Sequence, residues 1–287
     1  MKNILVLTDL SENAAHAAEL SVIFGGKLNA NLLLYHTFLG AVVIPNYEGG
    51  PLASNASIEL EAESRAHLDK LAGYLQPFID KLDKYGYKPV ISCQLGEGSL
   101  GGNVLSLIET KNVEIIVMGA RSGSSLEHIL LGSDTNAVMQ KATCPVLVVP
   151  MESNLQKLTK VVFATDFEAE DIVAIQYLVN LAKLFDFELE IVHVALPGKN
   201  NEYKKDLQFS LKAEVSKLTY SHIVYKNVRG NNVIKRLNRL CEETDAGILA
   251  LSHHQHSFFG RLLQKSTTKE ALSLQKIPLL VFPLKTT

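Results

Sequence analysis

The sequence predicts an α/β protein made of two tandem copies of one doubly wound unit, each a five-stranded parallel sheet with helices on both faces. Three observations predict it. The chain repeats itself, short apolar runs alternate with amphipathic stretches, and 287 residues fit about two domains at roughly 150 residues each. Ile4-Leu5-Val6-Leu7-Thr8-Asp9 returns as Val161-Val162-Phe163-Ala164-Thr165-Asp166, and Leu32-Leu33-Leu34-Tyr35-His36 as Leu189-Glu190-Ile191-Val192-His193, both displaced by 157 positions. Cys144-Pro145-Val146-Leu147-Val148-Val149-Pro150 returns as Ile277-Pro278-Leu279-Leu280-Val281-Phe282-Pro283, displaced by 133, so the first copy carries 24 extra residues after His36. The Phe38–Asn55 loop and added helix account for them. The copies are read as residues 1–151 and 156–287, with the polar Met151–Lys157 segment as the seam.

Ile4–Leu7 is wholly apolar, as a parallel strand covered on both faces must be. Ser11 can cap the next helix, which places Ala14, Ala17, Ala18 and Val22 at helical spacing. Leu32–Tyr35 is the second strand, and Ile58–Tyr85 is one long helix or two shorter ones. Pro89–Cys93 is the third strand, Asn103–Thr110 a helix and Val113–Met118 the fourth strand. A glycine- and serine-rich loop leads to a helix over Asp134–Lys141, and Pro145–Val149 is the last strand. The second copy keeps this order, with Ile175, Leu178, Ala182 and Phe185 on one face of its first helix.

Composition narrows the function. Hydrophobic residues make up 47% and charged residues 20%, and the net charge is -2, which disfavours a basic nucleic-acid binder or a protein held to membranes by bulk charge. The N-terminal apolar run is too short for a signal peptide, and no run suits a spanning helix. Cys93, Cys144 and Cys241 lack the number and spacing for a disulfide framework, zinc or redox chemistry, which points to a reducing, cytoplasmic compartment.

Doubly wound sheets bind ligands beyond the carboxyl ends of the strands, where strand order reverses. In the order 3-2-1-4-5 that point lies between strands one and four, at Thr8-Asp9 and at Gly119. The segment after strand four runs Met118-Gly119-Ala120-Arg121-Ser122-Gly123 and, after eight intervening residues, Gly132-Ser133-Asp134. Glycines permit close backbone approach, and free N–H groups at a helix start favour phosphate. Arg121 adds charge, and Asp9 can accept from an adenine amino group or a ribose hydroxyl. The plainer alternative is that Ser133 is an N-cap and the glycines form a turn.

Thr8-Asp9-Leu10-Ser11 after an apolar strand, the Gly119…Gly132-Ser133 loop and Cys144-Pro145-Val146-Leu147-Val148 together resemble the universal stress protein family, over nearly the whole chain as two tandem copies. The resemblance implies Rossmann-like domains of the adenine nucleotide α-hydrolase-like type. It also implies a stress-response regulator that binds ATP, with or without Mg²⁺, or another adenine nucleotide. In the ATP-binding branch the signature is Gly, two residues, Gly, nine residues, Gly and Ser or Thr. Here the spacing holds through Gly119, Ser122 and Gly132-Ser133, with serine at the second glycine and Gly123 beside it. By this resemblance Asp9 meets adenine, and His36 and Thr37 flank the base. Met118, Gly119, Ser122, Gly132, Ser133 and Asp134 hold ribose and phosphates. Asp134 departs from the usual apolar or neutral residue; its carboxylate can repel a triphosphate, help hold Mg²⁺ or favour the helix N-terminus, and the last is the simplest role for it. The second copy reads Ser252-His253-His254-Gln255 and later Lys265-Ser266, without the glycines, so a structural or regulatory role is expected of it. The family also pairs last strands, here Pro145–Val149 with Pro278–Phe282, as an intramolecular pseudo-dimer; a further homodimer is left open.

Other motifs are weaker. Gly96-Glu97-Gly98-Ser99-Leu100-Gly101 matches a dinucleotide fingerprint but follows the third strand, so a turn with helix entry is the better reading. His253, His254 and His256 form a polar loop rather than a metal site. His36 and His193 end equivalent strands, which fits structure or crevice lining. The chain has no Walker A motif, nucleophile elbow or H-x-G-H signature, so catalysis is not expected and any ATP hydrolysis is slow. An adenylyltransferase ranks below a regulator with an unidentified protein partner, or a nucleotide-free interaction scaffold. Gly40, Pro45, Tyr47, Gly49 and Gly50 make the Phe38–Asn55 loop a candidate lid.

Overall fold

Continuous apolar runs become central strands here because helices cover both sides of them. The structure, a computed structural model, describes residues 1–39, 52–123, 126–130, 133–155, 158–197, 202–253 and 276–283, with backbone alone at 52–56, 121–123, 126–130, 133, 202–203 and 253. Its contacts form two compact units: Met1–Gly119 with Gly132–Cys144, and Ala120–Leu131 with Pro145–Thr287.

Unit 1 follows the order β1 (Lys2–Leu7), α1 (Glu12–Leu28), β2 (Ala30–Phe38), α2 (Leu52–Asp80), β3 (Ile91–Glu97), α3 (Leu100–Lys111), β4 (Val113–Gly119) and, after the segment given to unit 2, α4 (Ser133–Lys141). Its strands lie in the order β3-β2-β1-β4, all parallel, with Leu7 opposite Tyr35 on one side and Met118 on the other. Ile4, Leu5, Val6, Leu32, Leu34, Ile115, Ile116 and Val117 are buried in its core. The third strand begins later than the sequence suggests and runs on through Gly96. A Cβ on Gly96 would stand 1.8 Å from the Tyr35 hydroxyl, so glycine there makes room for a buried phenol. Gly98 then takes φ +93° in the turn into α3, the turn-and-entry role expected of the G-x-G-x-x-G run.

The glycine- and serine-rich segment was expected to be a loop. Its backbone instead forms a hairpin of β5 (Arg121–Gly123) and β6 (Leu126–Leu130), pairing Arg121 with Leu130 and Gly123 with Leu126. Within β6, Ile129 is the β-branched residue that favours a strand.

Unit 2 continues with β7 (Val146–Val149), β8 (Lys160–Ala164), α5 (Asp171–Phe185), β9 (Glu188–Ala195), α6 (Glu202–Val215), β10 (Ile223–Arg229), α7 (Val233–Thr244), β11 (Ile248–His253) and β12 (Leu279–Pro283). The order is β10-β9-β8-β11-β12-β7. The second copy therefore has the predicted 3-2-1-4-5 arrangement, all parallel. β7, the last strand of the first copy, is counted with unit 2 because it runs antiparallel along β12, with Leu147 opposite Leu280 and Val148 opposite Leu279. The expected pairing of the two last strands is present, and it covers two apolar edges. The compact units thus do not part at the repeat seam.

The repeat is unequal in its second helix: α2 has 29 residues and α6 has 14. That difference supplies much of the extra length. Residues 40–51, the bulk of the candidate lid, lie outside the described residues, as do His254, His256 and the Lys265-Ser266 end of the second signature. Cys144 and Cys241 are buried, and burial pushes each thiol up to about 12, so both are inert core residues. Half-buried Cys93 sits in β3, its thiol also raised by burial.

Candidate functional site

In unit 1, β1 and β4 end side by side, the switch point beyond which doubly wound sheets take their ligands. The chain leaves β1 through a tight turn: Thr8 Oγ1 accepts from the Leu10 N–H at 2.9 Å, and Leu10 adopts φ 65°. A bulky residue in the left-handed region is strained by about 1 kcal/mol or more and persists only where neighbours hold it. They do so through Ser11, whose N–H (3.1 Å) and Oγ–H (2.5 Å) both donate to Asp9 Oδ1, and whose Oγ accepts from the Ala14 N–H at 3.3 Å to cap α1. The turn presents an exposed Asp9 at the end of the central strand.

His36 closes the other side. Its Nδ1 donates to the Thr8 carbonyl at 2.8 Å, which ties the end of β2 to the turn after β1. Thr37 follows, half-buried. Across β1, Met118 is buried and Gly119 ends β4. A Cβ on Gly119 would meet the Asn13 carbonyl oxygen at 2.7 Å, so this glycine serves the close packing of β4 against the first turn of α1. Ser133 opens α4 rather than preceding it, and half-buried Asp134 lies in the first turn, where its charge suits the helix dipole.

Asp9, His36, Thr37, Met118 and Gly119 therefore gather at adjacent strand ends of one unit. Arg121, Ser122 and Gly123 form β5 and are counted with unit 2, and their backbone pairs with β6 instead of lying open. Gly132 lies outside the described residues. Sequence reasoning gave no role to Thr8 or Leu10. The Thr-Asp pair recurring at the same offset as the histidines carried a signal for Thr8; nothing in the sequence marks leucine for a positive φ.

Unit 2 repeats the turn. Thr165 Oγ1 accepts from the Phe167 N–H at 2.9 Å, Phe167 has φ 64°, and His193 Nδ1 donates to the Thr165 carbonyl at 3.1 Å. The recurring histidines are thus strand-end ties. Two things differ. The Thr165 hydroxyl donates to buried Asp171 at 2.6 Å, and Asp166 is bound by Lys204 from α6, with His193 Nδ1 3.7 Å away. Burial, more than any neighbouring charge, lowers the His193 pKa, and the Phe167 ring lies 4.5 Å from the imidazole. Among the described residues no group of three or more His, Cys, Asp or Glu side chains could hold a metal ion, and no helix is long and apolar enough to cross a membrane.

The comparisons with known proteins agree with the repeat. Universal stress protein Slr1230 of Synechocystis sp. is 25% identical over 296 residues, spanning 98% of this chain and all of the relative. Universal stress protein MJ0577 of Methanocaldococcus jannaschii is 30% identical over 159 residues, 53% of this chain and 97% of the relative. The crystal structure of a universal stress protein from Archaeoglobus fulgidus superposes with a TM-score of 0.72 at 19% identity, covering 97% of each chain, which establishes the shared fold. The family model for universal stress proteins matches twice, at residues 1–150 and 157–283, and on that double match the chain belongs to the universal stress protein family.

Proposed function

We propose that this protein is a stress-response regulator of the cytoplasm that binds an adenine nucleotide, ATP with or without Mg²⁺, in the crevice of unit 1. The observation that carries the reading is the exposed Asp9, held at the end of the central strand by the Thr8–Leu10 turn and by Ser11. A carboxylate so placed accepts from an amino group or a ribose hydroxyl. The start of α4 offers N–H groups and a favourable dipole to phosphates. The nucleotide supplies a bulky polyanion whose presence changes the surface that a protein partner reads. The chain acts by binding rather than by turnover, and hydrolysis is slow because no Walker-type lysine or general base is evident in the sequence. Free cysteines, buried in two of three cases, suit a reducing compartment.

A nucleotide-free interaction scaffold is the second reading. The β5–β6 ladder favours it, since backbone groups paired with each other are not directed at a phosphate. Calorimetric titration of ATP and Mg²⁺ into nucleotide-stripped protein separates the two. The regulator reading expects one site at micromolar affinity, lost in Asp9→Ala and in Gly132→Val. Absence of binding would leave the scaffold.

A further inference from the structure

The two repeats part company at one carboxylate. Asp9 is exposed, and its Oδ1 is held by the neighbouring Ser11. Its counterpart Asp166 has a side chain 21% exposed, and its Oδ1 takes the Lys204 ammonium from the first turn of α6, the Lys204 side chain being 28% exposed. The position matching Ser11 is Glu168, which brings no hydroxyl to the turn. His193 Nδ1 is tied to the Thr165 carbonyl, and the Thr165 hydroxyl is committed to Phe167 and Asp171. Among the described residues, Lys204 is therefore the cation that the chain itself brings to the acidic end of its second central strand.

We propose that Lys204 is a built-in occupant of the unit 2 crevice: its ammonium takes on Asp166 the place that a nucleoside's amino or hydroxyl group takes on Asp9, and this makes the two repeats inequivalent as binding sites. The proposal rests on the reading of Asp9 given under Proposed function. A tethered ammonium competes at an effective concentration on the order of millimolar or higher. Its bond to the carboxylate carries an ionic charge on both sides, whereas a nucleoside's amino or hydroxyl group brings only a neutral donor. A neutral nucleoside thus meets a stronger and ever-present rival in unit 2 and none of that kind described for Asp9. Loss of the signature glycines bears on phosphates, whereas Lys204 acts on the base and ribose, so the probe that isolates its effect carries no phosphate.

Adenosine is titrated into Asp9→Ala protein, in which unit 1 is disabled, and into the same background with Lys204→Met or Lys204→Arg. The expected result is one adenosine site in the Lys204→Met protein, tightened by about tenfold or more, as loss of one charged competitor predicts. Lys204→Arg, which keeps the charge, stays closed, and adding Asp166→Asn to the Met variant abolishes the site. Unchanged affinity in the Met variant, with an unfolding transition like that of its parent, overturns the proposal, as does binding that survives Asp166→Asn. If wild-type protein binds neither ATP nor adenosine, the reading of unit 1 fails on its own, and the paired Asp9→Ala measurements still decide the role of Lys204.

Discussion

Glu190 stands in β9 where the first copy has the core residue Leu33, and it is fully buried. Lys226 Nζ lies 2.8 Å from Oε1 and Lys160 Nζ 3.7 Å from Oε2, yet neither oxygen has a well-directed hydrogen bond. The contact is therefore chiefly electrostatic, and the cost of taking the carboxylate out of water is set against it. Glu190→Leu, which restores the residue of the other repeat, is expected to stabilise the protein by about 1–3 kcal/mol in urea unfolding. Lys226→Met, which removes the nearer of the two ammonium groups from the buried carboxylate, is expected to destabilise it by about 2–3 kcal/mol. A destabilised Leu variant would show that the ion cluster holds β9 in place. The sequence set Glu190 beside Leu33 in the repeat but gave no sign that two lysines reach in to it, because pairing across strands depends on register. Asp9 and His36 were legible for the opposite reason: recurrence at one offset marks a position whatever the register. Lys204 has no such mark, since it sits in the part of the repeat where the copies differ in length.

Helix ends show the same division at the scale of elements. Ser11 was readable as a cap because a hydroxyl just before an apolar-periodic stretch has one common use. The end of α2 was not readable. Its last carbonyls, with those of the turn beyond, are gathered by Lys88, whose Nζ donates to the carbonyls of Ile79 (2.8 Å), Asp80 (3.1 Å) and Leu82 (2.7 Å). A single ammonium thus satisfies orphan acceptors and meets the negative end of the helix dipole. Lys88→Met is expected to lower stability by about 1–2 kcal/mol, with the earliest loss of amide protection at residues 76–82 in hydrogen exchange. Protection unchanged there would mean that water serves those carbonyls as well. The hairpin β5–β6 escaped the sequence reading because glycine and serine dominate its first half, and a turn-rich composition describes a loop and a hairpin equally well.

Across the whole molecule, the fold class and tandem repeat were legible, because apolar periodicity and repetition are properties of the chain alone, and the strand order came with the doubly wound class. The way the compact units share the chain was not. β7 is encoded with the first copy and hydrogen-bonded to β12 in the second unit, whose first residue, Leu279, comes 130 positions after Val149, the last of β7. A chain ended at residue 151 keeps β7 and loses β12, leaving Val146, Leu147 and Val148 with an open apolar edge. Such a fragment is expected to dimerise through β7 or to precipitate in analytical ultracentrifugation at concentrations where the full chain stays dispersed. A monodisperse monomer would show that the edge is covered without β12.

The same strand pair sets an order of events during synthesis. β7 leaves the ribosome well before β12 exists, and at about 5–20 residues per second the 130-residue interval lasts roughly 7–26 seconds. For that time the nascent first copy has a finished edge and no mate, so neighbouring chains on one message compete with the chain's own second half for it. Fusing the copies in one polypeptide resolves the contest in favour of the intramolecular partner as soon as it emerges, a timing that separately made subunits would have to find by diffusion.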